Sequence, residues 1–250
     1  MMPKIIHYCW LSDDPVPSDL KYYMATWKDK LIGYDFVLWN RQRFDINSSV
    51  WVKQAYEQKK YAFAADYIRL YAVYHYGGIY LDMDIELIKP FDDLLCNDLM
   101  FAYENNVDKT IEAGCFGAEK NSAYLKKCLD YYKDRTFIKG DGSYDVLPLP
   151  QILKNVFQYD AFQFYTQDYF TAKQFGTGIV QITSNTYCIH QFCGSWKSIK
   201  SRKCRLFVHR IIKIFGYNYF TKFIYYSFNF IERINKTGVK NTIKYYYSKF

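Results

Sequence analysis

The chain has 250 residues, of which 50% are hydrophobic and 23% are charged. This composition supports a large buried core and excludes an intrinsically disordered chain. The formal net charge of +8 comes from the C-terminal part, because residues 197–250 hold 13 Lys and Arg against one acidic residue, whereas residues 1–196 hold 20 basic and 24 acidic residues. The main body is therefore not a basic nucleic-acid-binding surface.

Strands and helices are predicted to alternate over most of residues 1–195. Runs of apolar, β-branched and aromatic residues predict strands, and apolar residues at helical spacing predict helices. The predicted strands are residues 4–10, 34–39, 79–87, 99–103 and 181–190, and the predicted helices are residues 18–30, 50–60, 61–76 and 122–134. This alternation predicts an α/β fold in which helices cover both faces of a mainly parallel sheet.

The segment at residues 79–87, IYLDMDIEL, begins apolar and becomes acidic. Within one strand, Asp82 and Asp84 would point the same way, because residues two apart share a face. A carboxylate pair at the end of an apolar strand is costly to desolvate unless a cation or hydrogen-bond donors compensate. Such oxygen ligands suit Mg²⁺ or Mn²⁺, whose shell is often completed by substrate phosphate. The pair predicts a metal and diphosphate site, although acidic pairs also occur on solvated turns.

Asp66 and Arg69 lie three residues apart on the predicted helix 61–76 and so share a face. One interpretation is a local ion pair with a small effect on stability. The other is a substrate site, in which Asp66 accepts hydrogen bonds from sugar hydroxyls and Arg69 binds phosphate or sugar oxygens. The residues alone leave both interpretations open.

Four segments in a fixed order resemble one known family. They are PKIIHYCW at 3–10, AFAADYIRLY at 62–71, YGGIYLDMD at 76–84 and HQFCGSW at 190–196. Together they are similar to the DXD-containing glycosyltransferase family of bacterial capsular-polysaccharide and lipooligosaccharide sugar transferases and fungal initiating mannosyltransferases, with remote similarity to the clostridial glucosylating toxins. The resemblance implies a GT-A-like, Rossmann-type fold, a nucleotide-sugar donor, a divalent metal (Mn²⁺ or Mg²⁺) and retention of anomeric configuration.

The resemblance also implies roles for individual residues. The catalytic group would be Asp66, Arg69, Asp82 and Asp84. Contacts with the nucleotide-sugar donor would come from His7, Trp10, Asp66, Arg69, Asp82, Ser195 and Trp196. The metal would be held by Asp82, Asp84 and His190. Three of these residues also have a structural interpretation. His7 and His190 are alternatively hydrogen-bonded histidines of the core, and Trp10 is alternatively an aromatic core residue.

The function expected from this resemblance is transfer of a hexose or N-acetylhexosamine to a glycan acceptor in capsule or surface-polysaccharide synthesis, with a UDP-sugar favoured as the donor. One alternative is a toxin-like transferase that glycosylates a protein. Another is a non-catalytic protein that binds nucleotide sugars or glycans, against which the intact acidic pair and Arg69 argue. A metal-dependent phosphohydrolase is disfavoured, because the sequence offers no second metal cluster or phosphate-activating nucleophile.

The C-terminal residues 197–250 are predicted to form a basic, aromatic-rich helical tail after a catalytic domain of residues 1–196. Within residues 198–250, Lys and Arg are interleaved with Ile, Phe and Tyr, as in amphipathic helices on anionic membrane surfaces. Alternatively, the tail packs on the domain and its lysines face solvent. No nucleic acid is expected as a partner, because no recognition module accompanies the charge. A membrane contact would suit a lipid-linked glycan acceptor.

The cysteines and the N-terminus indicate a compartment. The seven cysteines form no Cys-x-x-Cys pair, which favours a reducing environment over a disulfide framework. The first apolar run is too short for a signal peptide, and no stretch reaches the roughly 20 apolar residues of a membrane-spanning helix. We therefore expect a cytoplasmic protein, at the inner face of the cell membrane if the tail binds lipid.

Overall fold

A computed structural model of the chain describes residues 1–157, 163–194 and 199–247. The chain forms two compact units, a larger one of Met1–Ala172 with Gln181–Gln191 and a smaller one of Lys173–Val180 with Phe192–Phe250. The boundary predicted after residue 196 falls within residues 195–198, outside the described residues, and stays a prediction.

Over the part of the chain that the structure describes, the larger unit is built on a five-stranded sheet. Its elements in chain order are β1 (Ile5–Cys9), α1 (Ser18–Lys30), β2 (Asp35–Trp39), α2 (Val50–Glu57), α3 (Tyr61–Tyr76), β3 (Gly78–Leu81), β4 (Ile85–Leu87), β5 (Leu99–Met100), β6 (Cys115–Ala118), α4 (Ala123–Asp130), α5 (Leu149–Phe157) and β7 (Cys188–His190). The strand order is β2-β1-β3-β6-β5, and β4 pairs with β7 in a separate two-stranded sheet.

Strand directions in the main sheet follow the predicted pattern with one exception. β1 is parallel to β2 and to β3, whereas β6 is antiparallel to both β3 and β5. Four strands therefore run in one direction and β6 in the other. The carboxyl ends of β1 and β3 meet at one edge, which is where parallel sheets place ligands.

The predicted single strand over residues 79–87 is wrong. The structure divides it into β3 and β4, which belong to different sheets. Between them Asp82, Met83 and Asp84 form a turn, in which the Ile85 amide donates to the Asp82 carbonyl at 3.0 Å. The two carboxylates are therefore brought together by a turn and not by the alternation of one strand.

The main core lies between the sheet and helices α2 to α5. Among its fully buried side chains are Trp51, Ile68, Tyr80, Phe101 and Phe116. On α3 the most buried positions are small or aliphatic, such as Ala64, Ala72 and Val73, and the tyrosines of the helix only flank the core. Small residues let α3 approach the sheet closely, which brings Arg69 to the end of β3.

In its described residues the smaller unit contains two helices, α6 (Ile199–Phe215) and α7 (Tyr219–Tyr247), the second interrupted at Gly238 with φ of 77°. The predicted helical tail is confirmed for these residues. No helix among the described ranges is long and apolar enough to cross a bilayer.

Candidate active site and metal centre

The acidic turn between β3 and β4 is held from both sides. The Asp82 amide donates to the Gly114 carbonyl at 2.7 Å, which joins the turn to the segment entering β6. On the other side, β4 pairs with β7 so that Ile85 is opposite His190. The pairing places His190 beside Asp84, although 106 positions separate them in the chain numbering.

Asp82, Asp84 and His190 form a group that could hold a metal ion. One ligand atom from each residue lies within 4.8 Å of the other two, and His190 Nε2 is 3.5 Å from Asp84 Oδ1. Two carboxylate oxygens and one imidazole nitrogen suit a divalent cation such as Mn²⁺. Burial raises the pKa of Asp82, and the charge of Asp84 adds to the shift while Arg69 opposes it. The donor set therefore fits a divalent metal.

Glu112 orients His190 from behind and was missed by the sequence analysis. Its carboxylate oxygens are 3.0 and 3.1 Å from His190 Nδ1. It also accepts hydrogen bonds from Thr171 Oγ1 and the Gly114 amide, and its side chain has no exposed area. A carboxylate behind a histidine fixes the tautomer, so that Nδ1–H donates to Glu112 and Nε2 faces the acidic pair.

Charge also couples His190 to its neighbours. Burial would lower the pKa of His190, but Glu112 and Asp84 more than offset this effect and raise it well above the usual range. Burial likewise works against ionised Glu112, yet His190 and the donated hydrogen bonds keep the pKa of Glu112 below its usual value. Nε2 can hold either a proton or a divalent cation, so the two compete for this atom.

A second acid near this cluster, Glu104, was also missed. Burial raises the pKa of Glu104 to about 8, and the negative charge of Glu112 adds to the effect. Near neutral pH this carboxyl group therefore carries a proton in much of the population. Neither Glu104 nor Glu112 belongs to a motif. The one local signal in the sequence concerned Glu112, which lies two residues before Gly114 and just ahead of the apolar residues of β6.

Arg69 is the cation on the other side of Asp82. Its Nη1 lies 3.3 Å from Asp82 Oδ2 and donates to the Ala113 carbonyl at 2.7 Å, while its Nη2 lies 3.3 Å from Asp66 Oδ1. The guanidinium also lies 4.7 Å from the centre of the Tyr80 ring, whose hydroxyl donates to Asp82. Arg69 is thus more than a local partner of Asp66, because it joins α3 to the acidic turn.

Asp66 is a largely buried carboxylate beside this arginine. Burial raises its pKa to about 6, while Arg69 opposes the shift and Asp82 adds to it. A carboxylate with 13% of its side chain exposed and an arginine at 3.3 Å can still accept a hydrogen bond from a hydroxyl group. The structure therefore places Asp66, Arg69, Asp82, Asp84 and His190 in one connected site.

His7 and Trp10 lie on and just after β1. His7 is 1% exposed, accepts a hydrogen bond from Trp39 Nε1 at 3.1 Å and lies 2.8 Å from the Gly77 carbonyl through Nε2. Burial lowers the pKa of His7 to about 4, so the ring is neutral. Trp10 follows the carboxyl end of β1, and its Nε1 donates to the Asp14 carbonyl. Their assignment to the nucleotide pocket stays a prediction.

Two predicted donor contacts, Ser195 and Trp196, lie outside the described residues. Their assignment also stays a prediction. The preceding residue, Gly194, has a φ of 65°, a conformation that favours glycine.

Part of the chain is similar to known glycosyltransferases. Residues 17–101, which include α3 and the acidic turn, match the family described as a glycosyltransferase sugar-binding region containing DXD motif. Inositol phosphoceramide mannosyltransferase 3 of Schizosaccharomyces pombe is 32% identical over 98 residues, 38% of this chain and 27% of that protein. An uncharacterized glycosyltransferase of Acanthamoeba polyphaga mimivirus is 29% identical over 154 residues, 58% of this chain and 60% of that protein. In both cases the chain spans less than two thirds of the relative.

Among solved structures, the PaToxG glycosyltransferase superposes with a TM-score of 0.52 at 19% identity. The match covers 64% of this chain and 70% of that one. At this level of identity the likeness concerns the fold. It confirms the GT-A-like α/β architecture that the sequence resemblance implied.

Proposed function

We propose that this chain, which carries the glycosyltransferase sugar-binding region containing the DXD motif, is a metal-dependent glycosyltransferase that moves a sugar from a nucleotide-sugar donor to a glycan acceptor. The observation that carries the proposal is the grouping of Asp82, Asp84 and His190, with their ligand atoms within 4.8 Å of one another. Three ligands at one sheet edge leave room for diphosphate oxygens to complete a metal shell. DXD glycosyltransferases generally bind such a divalent metal.

The residues around this group have distinct roles in the proposed reaction. When bound, the metal would act as a Lewis acid that neutralises charge on the departing diphosphate. Arg69 already shares its charge between two carboxylates and holds the acidic turn in place, so it orients Asp82 and offers positive charge beside the leaving group. Asp66 accepts hydrogen bonds from donor-sugar hydroxyls. Ser195 and Trp196 would complete the donor contacts.

Transfer is proposed to retain the anomeric configuration, with attack on the face that the leaving group departs from. A covalent sugar intermediate needs a carboxylate free to reach the anomeric carbon. Within the described site, however, Asp66 and Asp82 contact Arg69, and Glu112 contacts His190. These contacts favour a mechanism without an enzyme nucleophile.

The donor is proposed to be a UDP-sugar that carries a hexose or N-acetylhexosamine, with Mn²⁺ as the preferred ion. A second candidate, GDP-mannose, is favoured by a different observation, since the fungal relative is named a mannosyltransferase. The two candidate donors differ in base and sugar, so a direct measurement of donor binding distinguishes them.

The acceptor is proposed to be a growing capsule or surface glycan, carried on a lipid at the inner face of the cell membrane. The fungal relative is named for a ceramide acceptor, which supports a lipid-linked substrate. A toxin-like transfer to protein is the alternative. Transfer assays with lipid-linked glycan and with protein acceptors would decide between them.

The test is a thermal-shift panel of UDP-sugars and GDP-mannose, each with Mn²⁺ or with chelator, on the wild type, on Asp84→Asn and on Asp29→Asn. A ligand that binds only the folded state raises the melting temperature. At a ligand concentration a hundredfold above Kd, it adds about 2.7 kcal/mol to the free energy of unfolding. We expect one nucleotide family to stabilise the wild type in a Mn²⁺-dependent manner and Asp84→Asn to lose that shift. Asp29 is an exposed carboxylate on α1, so Asp29→Asn should behave as the wild type. Equal shifts in all three proteins would contradict the metal site.

A further inference from the structure

The connection between α6 and α7 exposes an unusual concentration of large apolar side chains. We define the hairpin tip as residues 213–223, the end of α6, a three-residue connection and the first turn of α7. Its most exposed members are Tyr219 at 93%, Ile214 at 74% and Phe223 at 70%. The other exposed apolar side chains of the tip are Phe215, Tyr217 and Phe220.

The hairpin tip is a tight, hydrogen-bonded structure. Gly216 ends α6 with a φ of 74°, and its carbonyl accepts a hydrogen bond from the buried hydroxyl of Thr221 at 2.8 Å. Asn218 caps α7, because its side chain accepts from the Thr221 amide while its own amide donates to Thr221 Oγ1. These reciprocal bonds fix where the chain turns. The capping bonds therefore hold the backbone that carries the aromatic residues on either side.

The inward face of α6 is already occupied by other residues. Val208 and Ile212 are 3% exposed, and between them His209 lies 3.2 Å from the Gly176 carbonyl. Arg205, one turn earlier, donates to the Phe192 carbonyl. Leu206, Phe207 and Ile214 lie on the opposite side and are each more than half exposed. The smaller unit thus has a packed core of its own and a separate exposed apolar surface.

The charge around the hairpin tip has a single sign. Lys213 and Lys222 belong to it, and Arg210 lies one turn before it, all three exposed. The Lys222 ammonium group lies 5.1 Å from the centre of the Tyr217 ring and 5.9 Å from that of Tyr219. Glu232 is the one acid among residues 197–250, and it lies ten positions beyond Lys222. Exposed aromatic rings beside exposed cations complement an apolar layer beneath anionic headgroups.

We propose that the hairpin tip inserts into the headgroup layer of an anionic phospholipid bilayer, with its aromatic side chains at the acyl boundary and Lys213 and Lys222 at the phosphates. Tyr and Phe suit this depth because their rings are apolar while a tyrosine hydroxyl stays hydrated. The contact is peripheral, through a turn. It is independent of the donor site, so it holds or fails separately from the proposed transferase activity.

The experiment is co-sedimentation of the full chain with phosphatidylcholine vesicles that contain or lack phosphatidylglycerol. We expect binding to the anionic vesicles. In Tyr219→Ser/Phe220→Ser/Phe223→Ser the binding constant should fall about tenfold or more, because apolar burial at the interface is lost. In Lys213→Gln/Lys222→Gln it should fall roughly fivefold for each lysine, and added salt should reproduce this loss.

A matched control is Ile32→Ser/Val107→Ser, which removes two exposed apolar side chains from the larger unit and should bind vesicles as the wild type does. Circular dichroism melting would establish that each variant is folded. Equal vesicle binding by the wild type and the aromatic variant would overturn the proposal. The proposal would also be overturned if the wild type did not bind anionic vesicles but formed a dimer, and the aromatic variant was monomeric. The tip would then contact a second copy of the chain.

Discussion

Glu112 shows how much of the site depends on a residue that touches no predicted substrate. It is buried, negative, and bonded at once to a histidine, a threonine and a backbone amide. Buried charges persist where they are paired and hydrogen-bonded, and removing the charge of one partner leaves the other incompletely compensated. Its effect on any metal is exerted through His190, which makes it a positioning residue.

We predict that Glu112→Gln weakens Mn²⁺ binding by about 10- to 100-fold, the usual range for a carboxylate behind a metal-binding histidine. The glutamine keeps the shape but loses the charge that raises the basicity of His190. Isothermal titration of the metal-free protein with Mn²⁺ measures the change. Glu57→Gln alters an exposed acid on α2 and should leave the affinity unchanged. Wild-type affinity in a folded Glu112→Gln protein would show that the contact has no role in metal binding.

At the scale of elements, the close approach of β6 to the acidic turn depends on Gly114. A Cβ at this position would lie 2.7 Å from His190 Cε1, 2.9 Å from Asp82 Oδ2 and 3.0 Å from Glu112 Oε1. These distances are shorter than ordinary van der Waals contacts, and two of the neighbours are candidate metal ligands. A side chain would therefore displace the side chains of His190, Asp82 and Glu112 that assemble the site.

We predict that Gly114→Ala costs about 1–3 kcal/mol of unfolding free energy, as overpacking does elsewhere, and loses Mn²⁺ binding as well. Chemical denaturation and Mn²⁺ titration would measure the two effects. Gly140→Ala is the matched control, because a Cβ there meets nothing within 4 Å. If Gly114→Ala matched this control in both stability and affinity, the close packing of the site would be refuted.

At the scale of the whole molecule, His7 links folding stability to pH. In the folded protein the His7 ring has a pKa of about 4 and is neutral at higher pH, whereas an unfolded histidine titrates near 6.5. Between these values the unfolded chain binds more protons, so stability rises with pH in this window and is lost as pH falls from about 6.5 towards 4. The cause is burial, with the charge of Arg43 adding to it.

We predict that His7→Gln flattens this part of the stability profile, reducing the loss between pH 7 and pH 4 by on the order of 2 kcal/mol. Urea denaturation at a series of pH values, with chelator present in every sample, measures both slopes. His209→Gln removes another histidine with a lowered pKa, which lies in the smaller unit and leaves the His7 contribution intact. Parallel profiles for the wild type and His7→Gln would rule out His7 as the linked group.

Local pattern was enough to predict several elements and part of the site. The helices over 18–30 and 61–76 have the predicted bounds, because their apolar spacing and terminal signals lie within the segments themselves. Other predictions ran too long: the helix over 122–134 ends at Asp130, and the strand over 181–190 is formed by Cys188–His190 alone. Strand length depends on the partner available for pairing, which local pattern does not specify.

The α/β class, the acidic pair and the Asp66–Arg69 pair can be predicted from sequence, because each depends on residues close together in the chain. Three features depend on the folded chain: Asp82 and Asp84 meet on a turn, Arg69 reaches Asp82, and Glu112 supports His190 from 78 residues away. These contacts require β3 to pair with β6 and β4 with β7. Such pairings form because they bury apolar strands and satisfy their backbone groups together, which is a property of the whole packed chain.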